Sequence, residues 1–212
     1  MNMFRVFTFT CMRDLSLVRQ LNNQITSFKN VHHFLYVDER EYDMFPKDFN
    51  AVVRKRVAHD GNPFGGEGFR KKLYCIKDMK TDVEYGDTWM NIDSDVKFKN
   101  EDVFKLFKCN PNEIKASANI DSLNINGVVF NHMSGALQCL GSDLFNKMTD
   151  LDMNYVNKKI QEVDKWGQCP GDDVMIGYFS QGIFGGTFTN YRSTLHIDAS
   201  RMYETSTADI IW

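Results

Sequence analysis

Hydrophobic positions in the first half of the chain switch between two periods, and the switching predicts alternating strands and helices. Phe4 to Thr10 alternates and is rich in β-branched and aromatic residues, the pattern of a strand. From Asp14 onward the apolar positions Leu17, Val18, Leu21, Ile25 and Phe28 recur at helical spacing. A second strand, His33-Phe34-Leu35-Tyr36-Val37, ends at Asp38. The β-α-β order predicts a parallel pair joined by a right-handed crossover. Ala51-Val52-Val53 reads as a short third strand, and the turn-rich run from Asp60 to Gly68 as a mobile loop. A helix is expected from about Phe69 to Lys80. After it comes a strand over Thr88-Trp89-Met90 that leads into Asn91-Ile92-Asp93-Ser94-Asp95-Val96. Glu101 to Lys108 has the pattern of a short amphipathic helix.

The second half changes character. Ile125 to His132 reads as a strand and Ser134-Gly135-Ala136 as a tight turn. Ser142 to Met148 reads as a helix capped by Ser142, with Asp143 in its first turn. A further helix is expected within Asp150 to Trp166, with Leu151, Tyr155, Ile160 and Val163 facing inward. Gly171-Asp172-Asp173 starts another, running through Phe179, and Gly182 to Ile197 is glycine- and β-rich. The pattern predicts an α/β chain with a parallel amino-terminal half and a mixed, loop-rich second half.

Composition narrows this picture. At 212 residues and 24.6 kDa, with 42% hydrophobic and 25% charged residues, the chain suits one α/β domain with a proper core. The expected domain is 1–212, and its character changes near residue 98. The apolar ending Ala208-Asp209-Ile210-Ile211-Trp212 leaves open that it is one domain of a longer polypeptide. A formal charge of −3 and a pI near 5.9 argue against broad binding to nucleic acid. Five scattered cysteines without C-x-x-C pairing read as reduced thiols. The expected location is therefore cytoplasmic, with no membrane span.

Candidate chemistry centres on Asp93 and Asp95. At the carboxyl end of a strand, two acids one residue apart can face the crevice where open α/β sheets bind ligands. A hard divalent cation gripped by one or two carboxylates fills its remaining positions with phosphate oxygens and water. Asp-x-Asp also arises by chance on solvated loops. The apolar lead-in, the basic run Arg70-Lys71-Lys72 upstream and the acids and histidines downstream raise its weight here.

With Asp93-Ser94-Asp95 as its sharp motif, and with this order of elements over most of its length, the chain resembles the metal-dependent GT-A glycosyltransferases. The run Asn91 to Val96 and the small size also resemble chlorella-virus-encoded glycosyltransferase domains. The resemblance implies a single Rossmann-like domain with a mixed, mostly parallel sheet flanked by helices, its nucleotide-sugar-binding half at about 1–98 and its acceptor and catalytic half at 99–212. It implies a UDP-sugar donor, Mn2+ or Mg2+, and a glycan or glycoprotein acceptor. Asp95 becomes the main metal ligand, with Asp93 its partner on the metal, ribose or a metal-bound water. A metal ligand from the carboxyl-terminal His196 is implied as well, with Asp198 a competitor for that place.

Further roles follow from the same resemblance. Thr10, Cys11 and Arg13 would lie at the nucleotide, and Asp38 at base or ribose. Arg70 and Lys72 would lie at the diphosphate or donor sugar, and Ser94, Gly135 and Ala136 at the nucleotide sugar. Asp172 and Asp173 would lie near the reacting carbon. Each has a plainer alternative: a solvated helix face for the cations, a turn for Gly135, a cap for Asp38, Asp172 and Asp173. The expected product retains anomeric configuration, and the donor is a glucose-type hexose or a 6-deoxyhexose such as rhamnose. P-loop, dinucleotide-fingerprint and serine-hydrolase motifs are absent. The rival readings are a sugar-phosphate nucleotidyltransferase and a non-catalytic nucleotide- or carbohydrate-binding module. Thr10-Cys11-Met12-Arg13 is not the glycine- and lysine-rich loop the first would carry, and the four acids together speak against the second.

Overall fold

The computed structural model describes residues 2–56, 66–191, 195–196 and 210–211, with backbone alone at 117–121, 134–136, 195–196 and 210–211. Strands β1 (Phe4–Thr10), β2 (Val31–Asp38) and β3 (Val52–Arg56) lie parallel, with helix α1 (Leu15–Ile25) crossing between the first two. Helix α2 (Gly68–Asp78) precedes β4 (Thr88–Ile92), which pairs parallel to β1. Short β5 (Lys97–Phe98) and α3 (Glu101–Lys105) follow, and then a long antiparallel pair, β6 (Glu113–Ile125) and β7 (Val128–Gly141). Three helices come next: α4 (Ser142–Thr149), α5 (Met153–Lys165) and α6 (Asp172–Gly177), the last continuing as a π-helical turn over Tyr178–Ile183. Strands β8 (Thr187–Asn190), β9 (Leu195–His196) and β10 (Ile210–Ile211) close the order.

The main sheet runs β3-β2-β1-β4-β7-β6-β8, and β10 joins β5 and β9 in a small second sheet. The order reverses at β1, because β2 and β3 lie to one side of it and β4 to the other. Such a reversal opens a crevice beyond the carboxyl ends of the strands. Both faces of the main sheet are covered. One carries Phe7, Trp89 and Leu140 against α2, α4, α5 and α6; the other carries Val6, Met90, Ile92 and Leu137 against α1 and α3. This double burial explains why β4 reads as a continuous apolar run: all five of its residues are buried.

Several local expectations are corrected. The strand expected at Ile125 to His132 is two strands meeting at a hairpin. Asn126 and Gly127 turn the chain with φ of 52° and 80°, the pair of positive values that a two-residue Asn-Gly hairpin needs. Ser134-Gly135-Ala136 is not a turn but part of β7. It falls where Ala116 pairs with Gln138 and Ala118 with Met133, so β7 bulges there against β6. Ser142 does not cap α4: Gly141 holds the cap position, and Ser142 Oγ accepts from Gly86 N at 3.1 Å. A Cβ on Gly141 would lie 1.9 Å from the Asn110 carbonyl oxygen, so only glycine fits. Helix α5 starts at Met153, because Asp152 caps it by accepting from the amides of Asn154 and Tyr155. Val156 takes the inward position expected of Tyr155, which is 38% exposed. Among the described residues no helix is long and apolar enough to cross a membrane.

Candidate active site

Four parallel strand ends, Thr10, Asp38, Arg56 and Ile92, come out on one edge of the sheet, and several of the side chains expected to bind a nucleotide sugar lie there. Beyond Ile92 the chain makes a tight turn that Val96 N closes by donating to the Asp93 carbonyl at 3.2 Å. Val96 is buried and pins the turn, while Ser94 and Asp95 stay half-buried within it. Neither the Asp93 nor the Asp95 carboxylate has a hydrogen-bond or ion-pair partner among the described residues.

Opposite this turn stands Lys72. Its ammonium, 2% exposed, forms an ion pair with Asp172 at the start of α6 and donates to Gln138 Oε1 at 3.4 Å. Burying a cation this deeply is costly unless a carboxylate and a carbonyl oxygen meet it, and both do. Gln138 lies on β7 directly across from Asn91 on β4, so a polar strip runs across an otherwise apolar sheet face toward Asp93. Its Nε2 is buried without a partner. The sequence held no signal for this residue, whose register follows from the β7 bulge.

Electrostatics tie the group together. Asp93 reaches solvent, yet the crowding walls of the crevice push its carboxyl up to about 6. Lys72 opposes that rise, and Asp172 and Asp95 add to it. Asp173 sits beside His132, with Nε2 to Oδ2 at 2.9 Å. Burial works against ionisation of Asp173, but the His132 hydrogen bond prevails and holds the carboxyl below its ordinary range. The same bond raises the His132 imidazole, partly offset by burial. Asp173 Oδ1 also accepts from Val174 N at 2.9 Å, so it serves the helix start as well. Asp172 does not cap α6; its oxygen is taken by Lys72.

Beside the ends of β1 and β2, Thr10 is buried, Cys11 is half-buried with its thiol 3.2 Å from Asp14, and Arg13 is exposed and paired to Asp14 at 3.1 Å. Burial, seconded by the Asp14 hydrogen bond, raises the Cys11 thiol, so it is no thiolate nucleophile. Asp38 is held by two arginines, Arg40 and Arg56, each at 2.9 Å, and their hydrogen bonds keep its carboxyl far below the ordinary range. Cys11, Arg13, Asp38, Arg40, Glu41 and Arg56 line a cavity of about 590 Å³. A second, of about 370 Å³, is lined by Phe9, Arg56, Lys71 and Asp172 among others.

The structure does not bring every expected residue to this edge. Arg70 donates to Asn157 on α5 at 2.8 Å. Two residues apart on a helix, Arg70 and Lys72 point to nearly opposite sides, so one turns to α5 and the other to the sheet. Gly135 and Ala136 lie in the β7 bulge by their backbone, and His196 lies in β9; the side chains of Ala136 and His196 are outside the described residues, as is Asp198 altogether. Arg56, Gln138 and His132 are the site neighbours that sequence reasoning left unassigned. Of these, His132 carried a hint, ending an apolar run just before a small-residue triplet.

No protein-family model matches the chain, and no curated protein matches it in sequence. Solved structures do match it. The galactosyltransferase LgtC, in complex with donor and acceptor sugar analogs, aligns with 98% of this chain and 86% of its own at a TM-score of 0.53 and 12% identity. An active-site mutant of LgtC aligns over the same shares, with a TM-score of 0.54 and 10% identity. This chain has the GT-A fold. At such identity the likeness is one of fold, and the chemistry must come from the residues. In GT-A terms, the Asp93 to Val96 turn sits at the end of the strand where parallel pairing gives way to antiparallel, β4 between β1 and β7.

Proposed function

We propose that this protein is a glycosyltransferase. In this reading it moves a glucose-type hexose, or a 6-deoxyhexose such as rhamnose, from a UDP-sugar to a hydroxyl of a glycan or glycoprotein, with Mn2+ or Mg2+ and with retention. The proposed catalytic unit is the single domain 1–212, working in the cytoplasm. The observation that carries the proposal is the pair of unpartnered carboxylates, Asp93 and Asp95, at the crevice edge of the parallel strands, with Lys72 and Asp172 close to Asp93.

The donor set fits a hard cation. Asp93 and Asp95 offer oxygen ligands, and mutual repulsion among Asp93, Asp95 and Asp172 is what a bound cation would relieve. Phosphate oxygens and water, with His196 as the further protein ligand of this reading, would complete the shell. When bound, the ion stabilises the negative charge that grows on the leaving nucleoside diphosphate.

The chain's own residues do the rest. Lys72 holds Asp172 in place and supplies positive charge beside the site of departure. Asp172 and Asp173 are each already engaged, one by an ammonium and one by an imidazole. Carboxylates so held are suited to orienting sugar hydroxyls and stabilising an oxocarbenium-like state, less so to taking a proton from an acceptor, which favours retention. Calorimetric titration of UDP with Mn2+, with Mg2+ and with chelator, using GDP and ADP as controls, tests the reading. Metal-dependent binding selective for UDP is expected. A folded protein that binds no nucleotide would end the proposal.

A further inference from the structure

Asp38 was the side chain expected to read base or ribose, yet its acceptor capacity is spent. Oδ1 accepts from the Arg40 amide at 3.1 Å and from Arg40 Nε at 2.9 Å, and Oδ2 from Arg40 Nη2 at 3.0 Å and Arg56 Nη2 at 2.9 Å. A carboxylate offers about four such directions, and all four are filled. What Asp38 does is fix a guanidinium. Its register partner across the sheet is Arg56, the last residue of β3.

Arg56 is placed to bind something. Its guanidinium carbon lies over the Phe9 ring, 4.9 Å from the ring centre, a cation–π contact that restrains the fork. Its anchor is the bond from Nη2 to Asp38, and its buried Nε has no hydrogen-bond partner. Among the described residues Arg56 is the one that lines both the 590 Å³ cavity beside Cys11 and Arg13 and the 370 Å³ cavity that reaches Asp172, and so it stands where the two meet. A planar fork with unspent donors, held by an anchor and a ring, matches tetrahedral oxyanions better than it matches sugar hydroxyls.

We propose that Arg56, anchored by Asp38 and lying over the Phe9 ring, is an anion-binding residue of the crevice that takes a phosphate group of the nucleotide. This deepens the proposed function and rests on it for the identity of the ligand. Asp38 then acts through Arg56, as a positioning residue.

The test is calorimetry with inorganic pyrophosphate in the absence of metal and with UDP, GDP and ADP in the presence of Mg2+, on the wild type and on Arg56→Met, Arg56→Lys and Lys80→Met. Lys80 pairs with Asp150 on the protein surface, so its loss reports general charge alone. Arg56→Met is expected to weaken pyrophosphate and UDP binding at least about tenfold, the loss of one charge-assisted contact. Lys80→Met should leave both unchanged. Arg56→Lys keeps charge without the fork, so it should fall between, and it stands in if the Met variant does not fold. Pyrophosphate binding that is unchanged in the folded Arg56 variants overturns the proposal while leaving a UDP-sugar reading intact. Arg56-dependent pyrophosphate binding with no preference for UDP over GDP or ADP upholds the proposal and removes the UDP reading. Wild-type protein that binds neither ligand overturns both.

Discussion

Asp95 makes the sharpest residue-scale case, because nothing in the fold depends on its carboxylate. It is half-buried in a turn that Val96 and a backbone hydrogen bond already hold. Asp95→Ala is therefore expected to abolish turnover and metal-dependent UDP binding while melting within about 1 kcal/mol of the wild type; a calorimetric titration and a thermal melt on one sample decide it. The His132 and Asp173 pair belongs to the same scale, with a signed pH dependence. Its histidine contribution is full below the ordinary imidazole value of 6.5 and is lost as pH rises through the raised folded value. Its aspartate contribution is present above 3.8 and is lost as pH falls through the lowered folded value. The melting-temperature gap between wild type and His132→Phe should thus be widest between pH 3.8 and 6.5 and close in alkali. His33 carries the opposite sign. Buried between Asn22 and Thr8, its imidazole is pushed down to about 3, so it folds neutral. Between pH 6.5 and about 3 the unfolded chain binds the extra proton, and stability should fall steadily with acidification. An acid melt series of the wild type against His33→Leu checks this, since the variant should lose that slope.

Elements carry their own signatures. The β6-β7 hairpin turns on Gly127 at φ of 80°, with nothing within 4 Å of the place a Cβ would take. Gly127→Ala should therefore cost about 1 kcal/mol through backbone strain alone and spare UDP affinity. Removing the α5 cap by Asp152→Ala should cost about 1 kcal/mol in a denaturant melt for a different reason, two amides left without their acceptor. Periodicity located α1, α2, β1, β2 and β4 because each buries a stripe or both faces in a single core. It did not locate the β6-β7 hairpin, because Asn126-Gly127 was read as the interior of a strand edge. Nor did it extend β3 into Arg54-Lys55-Arg56, where charged side chains hide a strand whose pairing with β2 runs through Asp38. The same charged run hides Arg56 as a neighbour of the crevice at the strand ends.

For the whole molecule, ligand linkage is the natural measurement. Saturating UDP with Mn2+ should raise the melting temperature, chelator should remove the shift, and Asp93→Asn should remove it as well; a ligand at a hundred times its Kd adds about 2.7 kcal/mol to stability. A melt indifferent to metal in the wild type would count against the two-carboxylate site. The amino-acid sequence by itself determined the α/β class, the parallel first half and the position of Asp93 and Asp95 at a strand end, because these follow from local periodicity and adjacency along the chain. Tertiary structure alone decided the partnerships. Lys72 meets Asp172 across 100 residues of sequence, Gln138 meets Lys72 through a bulged register, and Asp38 is spent on Arg40 and Arg56 before any ligand arrives. Pairing between distant strands and helices has no local period to announce it, and which charge finds which partner is settled only when the sheet order brings their ends together.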